Sequence, residues 1–319
     1  PTERPYANDN PNYVNGDVHN INVNPATYTK DITGYIDEVT RNIKANFFAQ
    51  YEFDFGLSMK GTYSYNFLNF DFDGFEYTYD GYIYNEDTDV YETRPEWGNQ
   101  NPWRERRKRN TIDQVAQFQV NYSKNWGDHF LSAIGVYERW SQNSHNMIVH
   151  TVPPNNYIPI MSFADQDLLI DEIYQEAREG YLAKLNYNYK EKYLLEVFGR
   201  YDGSFLFDEE NRYGFFPGVS AGWQVSNESF MENVTGKFLS GLKLRASWGQ
   251  TGSDRFIGNN QFIVDPFSYY SGYNFIPTAG GSAILNGNFV PGVDPRGIPV
   301  TNLSWIVNTN INFGLDSYF

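Results

Sequence analysis

The sequence predicts an all-β chain, an antiparallel up-and-down transmembrane β-barrel with about nine strands and long extracellular loops. Three observations predict it. Apolar and polar residues alternate in runs of roughly a dozen, near the 9–11 residues that cross a bilayer at a tilt. Short turns alternate with long connections, as they do in membrane barrels. Aromatic residues make up 18% of the chain, including 26 Tyr and 25 Phe, and many of the Tyr and Trp fall near strand ends, where an aromatic girdle would lie.

The elements follow in order. The first strand runs from Arg41 to about Phe53, with Ile43, Ala45, Phe47, Ala49 and Tyr51 on one face. The second, about 55–69, sets Leu57, Met59, Tyr63, Tyr65 and Phe67 against Ser58, Lys60, Thr62, Ser64 and Asn66. The third, about 110–124, sets Ala116, Phe118, Val120 and Tyr122 against Gln117, Gln119 and Asn121. The fourth, about 128–142, is mixed, and its faces are not assigned by the pattern. The fifth and sixth form the hairpin "GYLAKLNYNYKEKYLLEVFGRYDG" at 180–203. Its Tyr181, Ala183, Leu185, Tyr187 and Tyr189 oppose Lys184, Asn186 and Asn188. After a tight "KEK" turn, Tyr193, Leu195, Val197 and Tyr201 oppose Glu196 and Arg200.

The seventh strand, about 212–226, places Val219, Ala221, Trp223 and Val225 on one face. The eighth, about 240–252, sets Leu242, Leu244, Ala246 and Trp248 against Lys243, Arg245 and Ser247. The ninth, about 302–316, sets Val307, Thr309, Ile311, Phe313 and Leu315 against asparagines and Asp316. Short turns fall near Phe53–Leu57, at "NWGD" (125–128) and at "KEK" (190–192), with a modest link at 227–239. Long connections are expected at 70–109, 143–177 and 253–301, and a short one at 206–211. Within the second of these, "DQDLLIDEIYQEARE" (165–179) has helical character.

Bulk properties narrow the function classes. The mean hydropathy of −0.58 and the lack of any run of roughly 20 apolar residues exclude helical membrane spans, but not a barrel. Across 319 residues the net charge is −15, which argues against nucleic acid as a partner. The absence of cysteine excludes a disulfide scaffold and a Cys-ligated zinc site. The chain opens on "PTERPYANDN" without signal-like features and closes within a strand-like pattern. It is therefore expected to be an internal piece of a longer protein.

Two environments produce this alternation. A soluble extracellular β-sandwich, such as an adhesin or a carbohydrate-binding module, is the alternative. Sandwich strands are usually about 5–6 residues, shorter than these. Backbone groups facing lipid must be satisfied internally, so the barrel reading requires further strands to close the wall.

Blocks in the second half carry a resemblance. "YNYKEKYLLEVFGRYDGS" (187–204), "NRYGFFPGVSAGWQVSNESFM" (211–231) and "LKLRASWGQTGS" (242–253) follow one another in order, and "TNLSW" and "NINFGLD" (301–316) come after them. Together they closely resemble the barrel of SusC/RagA-type TonB-dependent outer-membrane transporters. Phe205 and Leu206 stand where the family usually has a small polar and then a basic residue, and Ile306 where it commonly has Glu. Residues 1–177 agree only in layout. The resemblance implies a bacterial outer-membrane location and a plugged barrel of roughly 22 strands, of which this chain would supply part. It also implies import of oligosaccharides or peptides, powered through TonB and assisted by a SusD-like surface lipoprotein. The family's plug and TonB box have no counterpart in this chain.

Catalysis finds little support, and no cofactor is expected. Asp208, Glu209 and Glu210 read as a solvated turn rather than as an acid/base pair. His145 and His150 lie in an expected loop, with no nearby Cys or carboxylate to complete a metal set. "DFDG" (71–74) lacks the further oxygen ligands of a calcium loop. "RERRKR" (104–109) reads as a solvated basic face. The Gly- and Asn-rich turn "GSDRFIGNN" (252–260) is expected at the extracellular end of the eighth strand. Loop aromatics are the substrate or partner contact candidates: Trp97 and Trp103 beside one long loop, and Tyr269, Tyr270, Tyr273 and Phe275 in another. The competing role is packing of the loops. Lys184, Glu196, Arg200, Lys243 and Arg245 are the expected lumen-facing charges, and outer-membrane lipid is expected against the apolar face.

Overall fold

The computed structural model describes residues 6–16, 29–232, 239–254, 257–258, 261–262, 267–276, 283–290 and 292–318. Nine long strands form one sheet. They are β1 (Gly34–Glu52), β2 (Leu57–Glu76), β3 (Trp103–Trp126), β4 (His129–Val152) and β5 (Asp165–Tyr189). These are followed by β6 (Tyr193–Ser204), β7 (Tyr213–Gln224), β8 (Gly241–Ser253) and β9 (Ile306–Tyr318). Each strand is hydrogen-bonded to the next in sequence, so the sheet is an up-and-down meander with β1 and β9 at its edges. The remaining sheets have two strands each.

Strand length is where the structure departs most from the sequence pattern. β3 and β4 span 24 residues each, and β5 spans 25. The connections expected at 143–177 and 70–109 are correspondingly shorter. Between β2 and β3 stands a hairpin of Tyr79–Asn85 and Val90–Asn99. The stretch 165–179 is strand, not helix. Its apolar doublets resemble a helical face, but pairing with β4 decides the outcome. His150 Nδ1 lies 2.6 Å from the Asp167 carboxylate, and Asn146 donates to Glu172 at 3.2 Å. Propensity is a weak prior once a neighbouring strand offers a full ladder.

The turns show why the strands reverse where they do. Lys190 and Glu191 have φ of 53° and 56°, and the Lys192 N–H donates to the Tyr189 carbonyl at 2.9 Å. Two consecutive left-handed residues make a type I′ turn, whose twist suits a hairpin. Gly56 closes the β1–β2 turn at φ +89°, and a Cβ there would lie 2.1 Å from the Ser123 carbonyl oxygen.

The register from β5 to β9 sorts side chains cleanly. Tyr181, Leu185, Tyr187 and Tyr189 pair with Tyr201, Val197, Leu195 and Tyr193. Val197, Leu195 and Tyr193 continue to Val219, Ala221 and Trp223. Those three meet Trp248, Ala246 and Leu244, which meet Ile311, Phe313 and Leu315. On β4, Tyr137 lies with its ring 5.0 Å from Tyr181, while Glu138 accepts from Gln117 at 3.1 Å. Those contacts assign the faces of β4 that the sequence left open.

The apolar face is bare. Ile311, Phe313 and Leu315 are 63%, 83% and 62% exposed, and Leu195, Val197, Val219 and Trp248 are also exposed. Of the apolar residues just named, none is in the buried core, which comprises Phe72, Phe75, Leu206, Phe207, Phe216 and a few others. A sandwich would cover this face with a second sheet, and a continuous uncovered apolar face across five strands calls for an apolar surrounding. Lipid supplies that surrounding, which fixes the fold class as membrane barrel wall.

Contacts divide the chain into two units, one of residues 1–45, 65–113 and 142–175, the other of 46–64, 114–141 and 176–319. The first contains a compact anchor. Arg104 is 1% exposed. Its Nη1 donates to the Gly74 carbonyl at 2.7 Å, and its Nε to the Pro159 carbonyl at 3.0 Å. It is ion-paired with Asp73, and its guanidinium lies 5.6 Å from the Phe75 ring centre. The solvated-face expectation for 104–109 therefore fails at its first residue. The guanidinium fork reaches two carbonyls and a carboxylate from one fixed plane, with Nη2 left without a hydrogen-bond partner among the described residues.

Candidate functional site

The polar face of β5–β9 carries a ladder of paired charges, all within the second unit. Lys184 on β5 meets Glu196 on β6 at 2.5 Å. Arg200 holds Asp202 through two hydrogen bonds of 3.0 and 2.8 Å. Arg178 binds Asp254 at 2.6 Å, and Ser204 donates to the same carboxylate at 2.7 Å. Arg245 on β8 meets Asp316 on β9 at 3.2 Å. Lys243 lies on the same face against Gly222 and makes no ion pair among the described residues. The five charges singled out by sequence thus share one face, and Asp202, Asp254 and Asp316 are the partners that sequence reasoning did not supply.

Two recesses open along this face. A broad trough of about 890 Å³ is lined by Asn186, Glu196, Ser220, Arg245, Ser247 and Asn312. A smaller recess of about 400 Å³ gathers Glu138, Trp140, Arg178, Arg200, Asp202 and Trp305. The Arg178 guanidinium sits 5.4 Å from the Trp140 ring centre, a cation–π arrangement. The Trp305 indole donates to the Arg212 carbonyl at 3.1 Å. Neither Trp140 nor Trp305 was singled out by sequence. Trp140 lies on the strand whose faces were unassigned, and Trp305 lies in a connection without periodicity.

Glycines shape the trough. Phe198 lies on the polar face, over Gly218, where an added Cβ would come within 2.3 Å of its ring. Gly214, Gly218 and Gly222 share that face of β7. The spacing in "GFFPGVSAGW" was the available signal: glycine at every fourth residue of a strand leaves one face open for large side chains from its neighbours.

The loop aromatics divide by role. Trp103 stacks between Phe72 and His150, with ring centres 6.4 and 6.1 Å away. Tyr269 is buried and donates its hydroxyl to the Phe205 carbonyl at 3.1 Å. Trp97 is half-buried in the hairpin before β3. Tyr270 and Tyr273 are exposed. The Phe275 backbone pairs with Val293, and its side chain lies outside the described residues. Trp97 and Trp103 belong to one unit and the tyrosines to the other.

The remaining chemical motifs are absorbed locally. Asp208 accepts from the Glu209 N–H at 2.8 Å, capping a short 3-10 turn. His145 and His150 stand on β4, and the nearby carboxylates thought missing are present: Asp171 at 3.7 Å and Asp167 at 2.6 Å. Asp73 of "DFDG" is taken by Arg104 and Arg106. No cluster of three metal-ligating side chains occurs among the described residues. The turn at 252–260 lies partly outside them.

A meander with one lipid-compatible face and one charged, recessed face defines the wall of a transmembrane β-barrel. Comparison with known proteins gives the type. No family model matches the chain. It is 34% identical over 138 residues to TonB-dependent receptor P26 of Formosa agariphila, covering 43% of this chain and 12% of that protein. It is 37% identical over 104 residues to TonB-dependent receptor SusC of Bacteroides thetaiotaomicron, covering 29% of this chain and 10% of SusC. TonB-dependent receptor P3 of F. agariphila matches 86% of this chain and 25% of its own length, at 24% identity. The structure of the RagAB peptide transporter superposes with a TM-score of 0.69 at 18% identity, over 89% of this chain and 28% of that one. The chain thus spans between a tenth and about a quarter of the curated relatives' length. It resembles SusC/RagA-type TonB-dependent receptors in both sequence and fold, and it is β-barrel wall of the bacterial outer membrane.

Proposed function

We propose that this chain is part of the barrel of a TonB-driven importer of oligosaccharides or peptides, and that its polar face lines the lumen. The observation that carries the proposal is the pairing of the two faces: bare aromatic and aliphatic side chains on one, the ion-pair ladder and its recesses on the other. Fixed pairs suit a water-filled wall, because they are hydrated and nearly neutral to a passing solute. The wall does no bond chemistry in this reading. Tyr270 and Tyr273, the exposed loop aromatics, are the residues proposed to meet substrate or a SusD-like lipoprotein. The peptide cargo named for RagAB supports the peptide class.

Thiol scanning tests the assignment. This chain has no cysteine, so in a full-length receptor freed of any others, Ser220→Cys and Ser247→Cys report on one face and Leu195→Cys and Val219→Cys on the other. The first two are expected to react with a charged, water-soluble maleimide and the second two only with a lipid-soluble one. The reverse pattern would overturn the assignment. Growth of a strain lacking the full gene on a panel of glycans and peptides identifies the cargo, and undiminished growth on all of them would sink the importer reading.

A further inference from the structure

On the lipid-facing side, aromatic residues form two bands. One holds Tyr187, Tyr189, Tyr193 and Trp223 beside the tight turn. The other holds Tyr137, Tyr181, Tyr201 and Tyr213, with ring centres 5.0 Å apart in the pairs Tyr137–Tyr181 and Tyr201–Tyr213. From Tyr181 to Tyr189 the strand covers about 26 Å at roughly 3.3 Å per residue, or about 19–22 Å along the membrane normal at a tilt of roughly 35–45°, which sets the two bands near the edges of an apolar layer about 25 Å tall. The second band therefore sits at headgroup depth, on the side remote from the short turns, which is the outer leaflet.

Just beyond that band lies a recess of about 310 Å³, lined by Arg139, Arg212, Glu179, Tyr213, Phe205 and Tyr269. In a chain of net charge −15, three arginines line this recess: Arg178 is paired with Asp254, and Arg139 and Arg212 make no ion pair among the described residues. Arg139 follows Tyr137 by two residues on β4 and so shares its lipid-facing side. Arg212 is fixed by its own carbonyl, which accepts from the Ser204 N–H and the Trp305 indole, both at 3.1 Å. Its Nε is buried without a hydrogen-bond partner. The Glu179 carboxylate, held by the hydroxyls of Tyr213 and Tyr137, offsets one of these two charges, which leaves one cation in excess. Buried donors without acceptors are rare, and this recess holds a second one, Arg178 Nη2.

We propose that this recess binds a phosphate group of an outer-leaflet glycolipid, with Arg139 and Arg212 as its two cationic ligands and Phe205, Tyr213 and Tyr269 as its walls. Guanidinium forks suit phosphate oxygens, and the recess opens where a membrane-embedded headgroup, rather than imported cargo, would meet it. Arg139, Glu179 and Tyr213 reach the recess from the side opposite the ion-pair ladder, and Arg178 and Ser204 close it from the ladder side, so the site rests on the barrel reading.

The test uses the full-length receptor in a neutral detergent, with bound lipid read by native mass spectrometry. Bisphosphorylated lipid A is expected to be retained and its phosphate-free form not. Arg139→Gln/Arg212→Gln is expected to lower retention at least about tenfold, as loss of two charge-assisted hydrogen bonds requires. Retention unchanged in that variant, or equal for the phosphate-free lipid, overturns the proposal. Displacement of the lipid by equimolar inorganic phosphate also overturns it, since it would assign the recess to a soluble anion. If the double variant fails to migrate as a folded barrel on unheated gels, the exposed single change Arg139→Gln decides, with a several-fold loss expected and no loss fatal. Thiol labelling of the two wall faces reads out the barrel assignment separately, so the two can fail independently.

Discussion

Arg104 and Lys184 both carry a full charge on a β-strand, and the two regions hold it in opposite ways. Arg104 is 1% exposed and spends its donors on the carbonyls of Gly74 and Pro159 and on Asp73. Lys184 is a little over one-third exposed at its side chain and has one partner, Glu196, itself 32% exposed. The first arrangement joins the end of β2, the start of β3 and the segment before β5. The second joins two strands already held by a full ladder of backbone hydrogen bonds. Charge that is buried becomes structure, and charge that faces water becomes surface chemistry.

The comparison is broken most forcefully at Arg104. Arg104→Ala in the full-length receptor is expected to cost about 2–4 kcal/mol, chiefly because the Gly74 and Pro159 carbonyls lose their donor, since Asp73 is 38% exposed and keeps Arg106 beside it. Hydrogen exchange should then rise at residues 71–76 and 157–160, and exchange no faster than wild type would show that the anchor is dispensable. Arg104→Lys should not restore protection, since an ammonium lacks the fork.

Next in size is the glycine floor of the trough. Gly218→Val is expected to destabilise by about 1–3 kcal/mol, through collision with the Phe198 ring. Adding Phe198→Ala should recover part of that loss. A double-mutant cycle in thermal unfolding with no coupling would mean that the two residues do not share the space.

Smaller still is the exposed pair itself. Lys184→Ala and Glu196→Ala should each change stability by less than about 1 kcal/mol, with the coupling falling as salt is raised. A coupling of several kcal/mol, insensitive to salt, would place this face in a dry interior and contradict a wet lumen.

The smallest effect is confined to acid. Glu228, in the turn between β7 and β8, accepts hydrogen bonds from the Tyr193 hydroxyl at 2.7 Å, Lys192 at 3.0 Å and the Trp223 indole at 3.0 Å. These hold its pKa down to about 2, against an ordinary 4.5. A carboxylate with a lowered folded-state pKa contributes in full above its unfolded value and loses that contribution as pH falls. The turn is therefore expected to loosen between about pH 4.5 and pH 2, seen as faster exchange at residues 225–232. Glu228→Gln should remove that pH dependence, and an unaltered profile would exclude this residue as its source.

Sequence reading succeeded where physics is local and repetitive. The alternation at Tyr181–Tyr189, Val219–Trp223 and Ile311–Leu315 is a property of neighbouring residues, and it identified strands, faces and order through most of the chain. It failed where a partner distant in sequence decided the outcome. "DQDLLIDEIYQEARE" became strand because β4 offered it hydrogen bonds and histidines. "RERRKR" lost its first arginine to a buried anchor because Asp73 and Pro159 come to it from segments 31 and 55 residues away. The recess at Arg139 and Arg212 left no trace in the pattern, since its members come from β4, β5, β6, β7 and two connections.

The sequence by itself determined that this protein is all-β, that every long strand but the fourth has one apolar and one polar face, and that the turns are short at one end. Side-chain period and turn chemistry suffice for that. Only the tertiary structure decided that the apolar face goes uncovered, which separates a membrane wall from a sandwich, because the two share a period and differ only in what lies opposite. It also decided which charges pair across strands and which are left over, because register brings together residues that no local rule connects.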